Sequence, residues 1–428
     1  MRYALDSSWQ RHGDVVLAGS PLRLFRLTPA GTAVVTKVEA GDDVAEDRLV
    51  ARLLDAGAIH PLAPSGRGPD PADVAARVTV VTPQYRAARA DTDGAAVHDD
   101  GRITVDDGST PPLPGAALRL ATNRGPAAAR NAARPLVTTE LVAFLDADVT
   151  TGVDGAWIAA LLWHFDDPRV GLVAPRVTGE RRSPLDLGDQ PARIRAGTRV
   201  SYVPGAALVV RVAALDAVGW FDEGLRFGED VDLVWRLDEA GWRCRYDPSV
   251  TVWHEPRRRW SDRLRQHAGY GTAAAPLAVR HPRALSPVDV NGWTAGTWAA
   301  AATGHPLPAA GLALGSAAML TRTLRDVPTA TAFGLAARGH LAGGRQLAHA
   351  IRRAWWPILL PMALVSRRAR WVLAAAVAAD VRAAPTDIAY GVGVWRGMWR
   401  QRSLAAVTPR LSAWPPRRRA RRPLPSPR

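Results

Sequence analysis

Two aspartates, Asp146 and Asp148, stand at i and i+2 where the apolar run LVAFLDADV (141–149) gives out. Carboxylates so spaced at the end of a buried strand can hold a divalent cation. A cation there neutralises charge on a departing phosphate group without needing a proton. The pattern alone decides little, because turns are rich in aspartate for ordinary reasons. Two other strand ends carry comparable material: Pro83 and Tyr85 at the end of RVTVVTP (77–83), and Asp106 and Asp107 in ITVDDGS (103–109). Farther on, Glu229 and Asp230 open what reads as a helix, where the helix dipole favours acids whatever else they do. His254 closes the run SVTVWH (249–254).

These residues need a frame to hold them. Apolar strands at 77–83, 103–109, 141–149 and 170–175 alternate with helical stretches, which predicts an α/β fold with a doubly wound, mostly parallel sheet. Such sheets bind ligands beyond the carboxyl ends of their strands, the edge on which the three acid- and proline-bearing termini fall. Ahead of the sheet, VVLA (15–18) and LRLFRL (22–27) read as a hairpin. Thr28 then serves as N-cap, with Pro29 at the first helical position of a helix to about Glu39. A second helix, about Val44 to Ala56, stops at Gly57. Residues 1–65 are therefore expected to form a small, independent, winged-helix-like α+β module, followed by the Pro/Gly-rich linker PLAPSGRGPDPAD (61–73). The main α/β domain is expected over 76–285, and a helical, hydrophobic and basic region over 286–428.

A chain of 428 residues suits two or three domains. Cys244 is the only cysteine, which rules out an intramolecular disulfide and cysteine metal clusters and fits a reducing compartment. Residues 1–20 carry no basic segment followed by an apolar run, so no secretory signal is expected. Lys37 is the only lysine among 55 basic residues, a bias that reflects codon usage more than chemistry.

The net charge of +15 is unevenly placed. Residues 1–65 sum to −1, residues 66–284 to zero, and residues 285–428 to +16. A neutral core argues against nucleic-acid binding as the main task. In the basic region no charged residue occurs from Val290 to Thr321, but His305, Pro306 and Pro308 interrupt that stretch. The apolar segments 354–366 and 371–379 are separated by Arg367, Arg368 and Arg370, and RRRARR (417–422) follows later. A clean membrane span needs roughly 20 unbroken apolar residues, more than any of these supplies. The region reads as a solvated helical accessory, as a layer lying on an anionic membrane face, or, least of the three, as a spanning hairpin.

Taken in order, Pro83-x-Tyr85, Asp106-Asp-Gly-Ser, Asn123-x-Gly with Ala-Arg130-Asn, Asp146-x-Asp148, Phe221-Asp-Glu with Glu229-Asp-x-Asp-Leu, and Val252-x-His254 resemble the family 2 glycosyltransferases. The likeness spans 77–255. It implies a GT-A-type domain, a nucleotide-sugar donor, and Mg2+ or Mn2+ as cofactor. In that resemblance Pro83, Tyr85, Asp106 and Asp107 serve the nucleotide, and Arg130 faces the diphosphate. Asp146 meets the ribose or a metal-bound water, and Asp148 with His254 binds the metal. Asp230, beside Glu229, is the expected catalytic base: a carboxylate near the acceptor hydroxyl can take its proton during attack. One base and one displacement imply inversion at the anomeric carbon. Two departures stand out: Arg86 follows Tyr85 where the family usually has asparagine, and the short, acidic segment 87–101 replaces an apolar helix.

The whole-chain layout is similar to that of the mycofactocin-system glycosyltransferases. It has an N-terminal stretch resembling the peptide-binding PqqD-like domains, then RLRQHAGYGTAAAPLAVRHP (263–282), NGWTAGTWAA (291–300) and a hydrophobic, basic end. That similarity implies glucose, from UDP-glucose, placed on mycofactocin, a peptide-derived redox cofactor, or on its precursor. It also implies contact with a precursor peptide or pathway protein through 1–65. The expected place is the cytoplasm, peripheral on the inner face of the membrane. Three alternatives remain: a lipid-linked or cell-wall polysaccharide glycosyltransferase, a nucleic-acid-binding protein acting through the tail, and an inactive transferase-like scaffold. The first would carry long, clean spanning helices; the last is disfavoured by Asp148, Asp230 and His254 standing together.

Overall fold

The computed structural model describes residues 1–64, 71–86, 102–152, 155–179, 185–254, 259–282 and 284–412. The segment 87–101 and the tail RRRARR (417–422) lie outside the described residues. The chain divides into two compact units, Met1–Pro256 and Arg257–Arg428.

At the start of the first unit, strands Gln10–His12, Val15–Ala18 and Arg23–Arg26 form an antiparallel sheet. Thr28 caps the helix Pro29–Ala40 by accepting from the Gly31 amide at 3.2 Å, and Gly41 ends it in the left-handed conformation. The next helix, Arg48–Asp55, begins later than its apolar pattern predicts. Asp47 supplies the cap, accepting from the Val50 amide at 2.8 Å, and Val44 packs into the core from the preceding loop. Strands Tyr3–Leu5 and Ile59–Pro61 pair to close the module.

This module shares one compact unit with the main sheet rather than standing alone. Its acids meet arginines of the larger domain: Asp55 with Arg193 at 2.8 Å, Glu46 with Arg169 at 2.6 Å and Arg243 at 3.1 Å, and Asp6 with Arg199 at 2.9 Å.

The main sheet runs, in spatial order, Val149–Thr150, Arg243–His254, Val170–Thr178, Ala207–Arg211, Leu141–Leu145, Val78–Gln84, Arg102–Asp106 and Leu118–Arg119, with Ala192–Arg193 added beside Arg243–His254. The strands Leu141–Leu145, Val78–Gln84, Arg102–Asp106 and Leu118–Arg119 are mutually parallel. Ala207–Arg211 runs antiparallel to both its neighbours, so the sheet is mixed at its centre. That strand hides in the sequence because it passes into the helix Val212–Val218 with no glycine or proline to mark the change. Leu141, Ala143 and Leu145 pack with Val173, Val209, Trp157, Ile158 and Phe165 in the core beneath the sheet.

The second unit is helical. Its helices Trp260–Thr272 and Ala274–Arg280 pack on Ala384–Gln401, so the helical unit takes in residues ahead of the boundary expected at 285. The first contact is backbone to backbone. A Cβ on Gly393 would lie 2.0 Å from the Ala268 carbonyl oxygen, and one on Gly271 would lie 2.0 Å from that of Tyr390. Asp387 is buried and accepts from Arg352 Nε at 2.8 Å and Arg353 Nε at 2.7 Å. None of the described helices is long and apolar enough to cross a membrane.

Candidate active site

The strand Arg102–Asp106 ends in two consecutive carboxylates, and both are spent on the loops around them. Asp106 accepts from the amides of Ser109 at 2.8 Å and Leu113 at 3.1 Å. Burial would raise its pKa, but these bonds and Arg119 outweigh burial and hold it below the usual carboxylate range. Asp107 accepts from the amides of Arg124 at 2.7 Å and Gly125 at 2.8 Å and from the Asn123 amide group at 2.9 Å. It thereby fixes the loop that leads into helix Pro126–Ala132. Gly108 has no room for a side chain: a Cβ there would lie 2.4 Å from the Thr122 carbonyl carbon. The Asp-Asp-Gly-Ser pattern therefore reads, in the structure, as the clamp joining two loops at the carboxyl edge. Pro83 is buried at the end of its strand, and Tyr85 is 47% exposed beside it with the Arg86 guanidinium 5.0 Å from its ring centre.

Arg130 lies on helix Pro126–Ala132 and is 1% exposed, turned into the sheet rather than toward open space. Its guanidinium donates to Asp146 at 2.7 Å, to the Gly205 carbonyl at 3.1 Å and to Glu229 at 3.1 Å, and it lies over the Phe221 ring. The sequence does not foretell this hub, since Ala-rich flanks would suit an arginine on either face of the helix.

Glu229 and Asp230 begin the helix Glu229–Glu239. Asp230 is held by two backbone amides, Gly205 at 2.9 Å and Val231 at 2.8 Å. Burial pushes the pKa of both carboxyls up, and for Glu229 the Asp230 charge adds to the effect while Arg130 opposes it. Asp232, next on the same helix, is fully buried and paired with Arg236 at 2.7 Å, a structural duty.

Asp148 and His254 meet through sheet register. Val149 pairs with His254 across the antiparallel ladder, which sets the imidazole beside the preceding aspartate. His254 Nε2 is 3.4 Å from Asp148 Oδ2, and the Asp148 side chain is 68% exposed. Burial would lower the His254 pKa, but Asp148 and, more weakly, Asp146 outweigh it and hold the imidazolium above its ordinary value. Among the described residues no hydrogen-bond partner reaches the buried His254 Nδ1.

Two ligands of one divalent cation, each roughly 2.1 Å from it, stand about 3 to 3.5 Å apart, and Asp148 with His254 match that spacing. Among the described residues no group of three or more His, Cys, Asp or Glu side chains is arranged to hold a metal. Asp146, expected with them, is instead bonded to Arg130. The site nevertheless carries four carboxylates, Asp146, Asp148, Glu229 and Asp230, against Arg130 and His254. That surplus of negative charge suits a cation whose remaining ligands come from a bound phosphate.

A cavity of about 610 Å3 opens elsewhere, where the N-terminal module meets the sheet. It is lined by Ile59, Leu62, Trp163, Arg193, Arg245 and Asp247, and it contains none of the predicted site residues. It takes in Arg243–Val250, at the opposite end of the strand from His254. Side-chain chemistry, rather than hollow volume, therefore marks the candidate site.

Residues 78–270 match the family model described as glycosyltransferase like family 2. The pre-mycofactocin glycosyltransferase of Mycobacterium tuberculosis is 38% identical to the chain over 454 residues, covering 93% of this chain and 95% of that protein. The N-acetylglucosaminyl-diphospho-decaprenol L-rhamnosyltransferase of the same species is 38% identical over 108 residues, 25% of this chain and 30% of its own. Among solved structures, a mannosyltransferase from Pyrobaculum calidifontis in complex with GDP-Man and Mn2+ aligns over 76% of this chain and 87% of its own. At 18% identity and a TM-score of 0.44, that likeness carries no weight.

Proposed function

The chain belongs to the family 2 glycosyltransferases, α/β enzymes of the GT-A class, and from that premise we propose what it transfers, to what, and how. The donor is a nucleotide sugar, UDP-glucose, and the acceptor is mycofactocin or its precursor. The transfer inverts the anomeric centre and depends on Mg2+ or Mn2+. What supports the acceptor is the reach of the 38% identity, which takes in 93% of the chain and so extends into the regions flanking the sheet. A likeness confined to the nucleotide half would speak only for the family.

The chemistry rests on one observation: Asp148 and His254 pair at 3.4 Å beside a cluster of further acids. Those two residues would hold the divalent ion, which when bound offsets charge on the diphosphate leaving group. Pro83 and Tyr85 border the nucleotide end, while Asp106 and Asp107 shape the loops around it. The acceptor hydroxyl oxygen attacks the anomeric carbon, the bond from that carbon to the diphosphate oxygen breaks, and the hydroxyl proton passes to an Asp230 oxygen. Two amide donors orient Asp230, and its raised pKa makes it a stronger base than a solvated aspartate. Arg130 acts as a positioning residue: it holds Asp146 and Glu229 in place from below instead of touching the diphosphate. The N-terminal module, locked to the sheet by its ion pairs, presents the acceptor or a pathway protein, and the enzyme works on the cytoplasmic side.

Purified protein incubated with a panel of nucleotide sugars, the acceptor candidates and Mg2+ or Mn2+, and read by mass spectrometry, tests the reading. A hexose added to mycofactocin or its precursor from UDP-glucose supports it. Addition only to a polyprenyl-linked acceptor, or from another donor alone, overturns the corresponding half.

A further inference from the structure

Most helices of the second unit bury at least one residue, but Trp356–Val365 buries none. Its sequence, WPILLPMALV, is apolar all round, and its outer end is bare: Leu364 is 80% exposed and Val365 89%, with Ile358, Leu360 and Met362 also exposed. Ser366 turns the chain and caps the partner helix Arg367–Ala378. Around that turn stand Arg367, Arg368 and Arg370, all exposed, and Trp371, 66% exposed. Arg370 donates to the Ala363 carbonyl at 3.1 Å and so ties the arginine cluster to the apolar helix.

The base of this hairpin is built differently. Arg352 and Arg353 are consumed by the buried Asp387, and Arg352 also donates to the Ala376 carbonyl at 2.7 Å, which fastens the second helix. The hairpin thus has a fastened root and an unburied apolar tip. Residues 351–379 contain five arginines and no acid.

An apolar tip alone says nothing of what covers it; the charge around it does. A second protein surface would have to offer acids to the arginines and a hollow to the tip, whereas an anionic bilayer offers both as layers. Apolar side chains enter the acyl boundary, arginines lie among the phosphates, and tryptophan sits at the boundary between them. The helix has only ten residues, too few to cross a bilayer. We propose that the hairpin of Trp356–Val365 and Arg367–Ala378 seats in one leaflet of an anionic lipid bilayer and docks the enzyme there without spanning it. The proposal is independent of the sugar and acceptor.

The test is flotation of the full chain with vesicles of phosphatidylglycerol and phosphatidylcholine in equal parts, and with phosphatidylcholine alone, at low and high salt. The wild type should float with the anionic vesicles at low salt and lose most of that binding at high salt. Leu364→Asp with Val365→Asp, and separately Arg367→Glu with Arg368→Glu, should each lower vesicle partition by roughly tenfold or more. Because these side chains are exposed, both variants should keep the wild-type melting point and transfer to a soluble acceptor. A chain cut after residue 415 should retain binding that still depends on Leu364 and Arg367. Failure of the wild type to float, equal binding to neutral vesicles, or unchanged binding in both double variants overturns the proposal. So does a dimer, measured by light scattering, that Leu364→Asp with Val365→Asp dissociates while vesicles are ignored.

Discussion

Each unit buries an arginine–carboxylate network, and the two are mirror images in charge. In the first, one guanidinium, Arg130, serves two bonded carboxylates, Asp146 and Glu229, with Asp230 nearby. In the second, one carboxylate, Asp387, serves two guanidinium groups, Arg352 and Arg353. The stoichiometry sets the pKa values in opposite directions. Burial holds Glu229 and Asp230 above the ordinary carboxylate range, with the neighbouring carboxylates adding to it at Glu229, while two arginines outweigh burial and hold Asp387 below it. Surplus acid at the carboxyl edge of the sheet would suit a cation and a base. Surplus arginine within a helical bundle makes a fastening.

The largest expected effect lies at Asp148 and His254, the proposed metal ligands. Asp148→Ala and His254→Ala are each expected to abolish metal-dependent turnover while leaving the unfolding transition in place, because Asp148 is exposed and His254 ends its strand. Full activity in EDTA, or an unchanged metal titration in either variant, would remove the assignment. Asp230→Asn should lower kcat by about 10²- to 10⁴-fold with donor affinity retained, the usual contribution of a positioned base. Retained turnover would move the base to Glu229, since Asp232 is occupied by Arg236.

Metal and donor titrations should separate the networks, whereas the loss of stability should be similar in both. Breaking a buried ion pair from one side costs about 3–5 kcal/mol. Asp387→Ala should therefore destabilise the second unit by an amount of that order in denaturant titrations, with metal affinity at Asp148 unchanged. Arg130→Met should destabilise comparably and also change the metal and donor titrations. Equal metal responses in the two variants would erase the distinction.

The smallest effect is in pH. Turnover should fall on acidification through a pKa above the ordinary carboxylate value of about 4, since the base must be unprotonated and its folded-state pKa is raised. Asp387 behaves oppositely. Its depressed folded pKa means its contribution to stability is whole above the unfolded value and drains away only as pH falls toward the folded one. A pH–rate profile beside acid-denaturation curves checks both; an acid limb of kcat/KM at or below pH 4 would contradict the first.

Much of the frame was legible because it is local. Thr28 and Pro29 mark a helix start by their own chemistry, and the strand ends at Asp106 and Asp146 follow apolar runs too strong to miss. The strand Ala207–Arg211 was not legible, since it lacks alternation and runs into the following helix with no glycine or proline between them. Nor was the attachment of 1–65 to the sheet, where Asp55 and Arg193 lie 138 residues apart and look in sequence like ordinary surface charges.

The sequence by itself determined the family and the order of its motifs, the neutral charge of the sheet-forming region and the basic charge of the rest. These are properties of residue type and spacing along one chain. Only the tertiary structure decided what each charged group faces. Arg130 reaches Glu229 across 99 residues, and His254 reaches Asp148 through the pairing of Val149 with His254. Sequence spacing cannot supply such contacts, because sheet register brings these strand ends together and burial then decides which charges must share a partner.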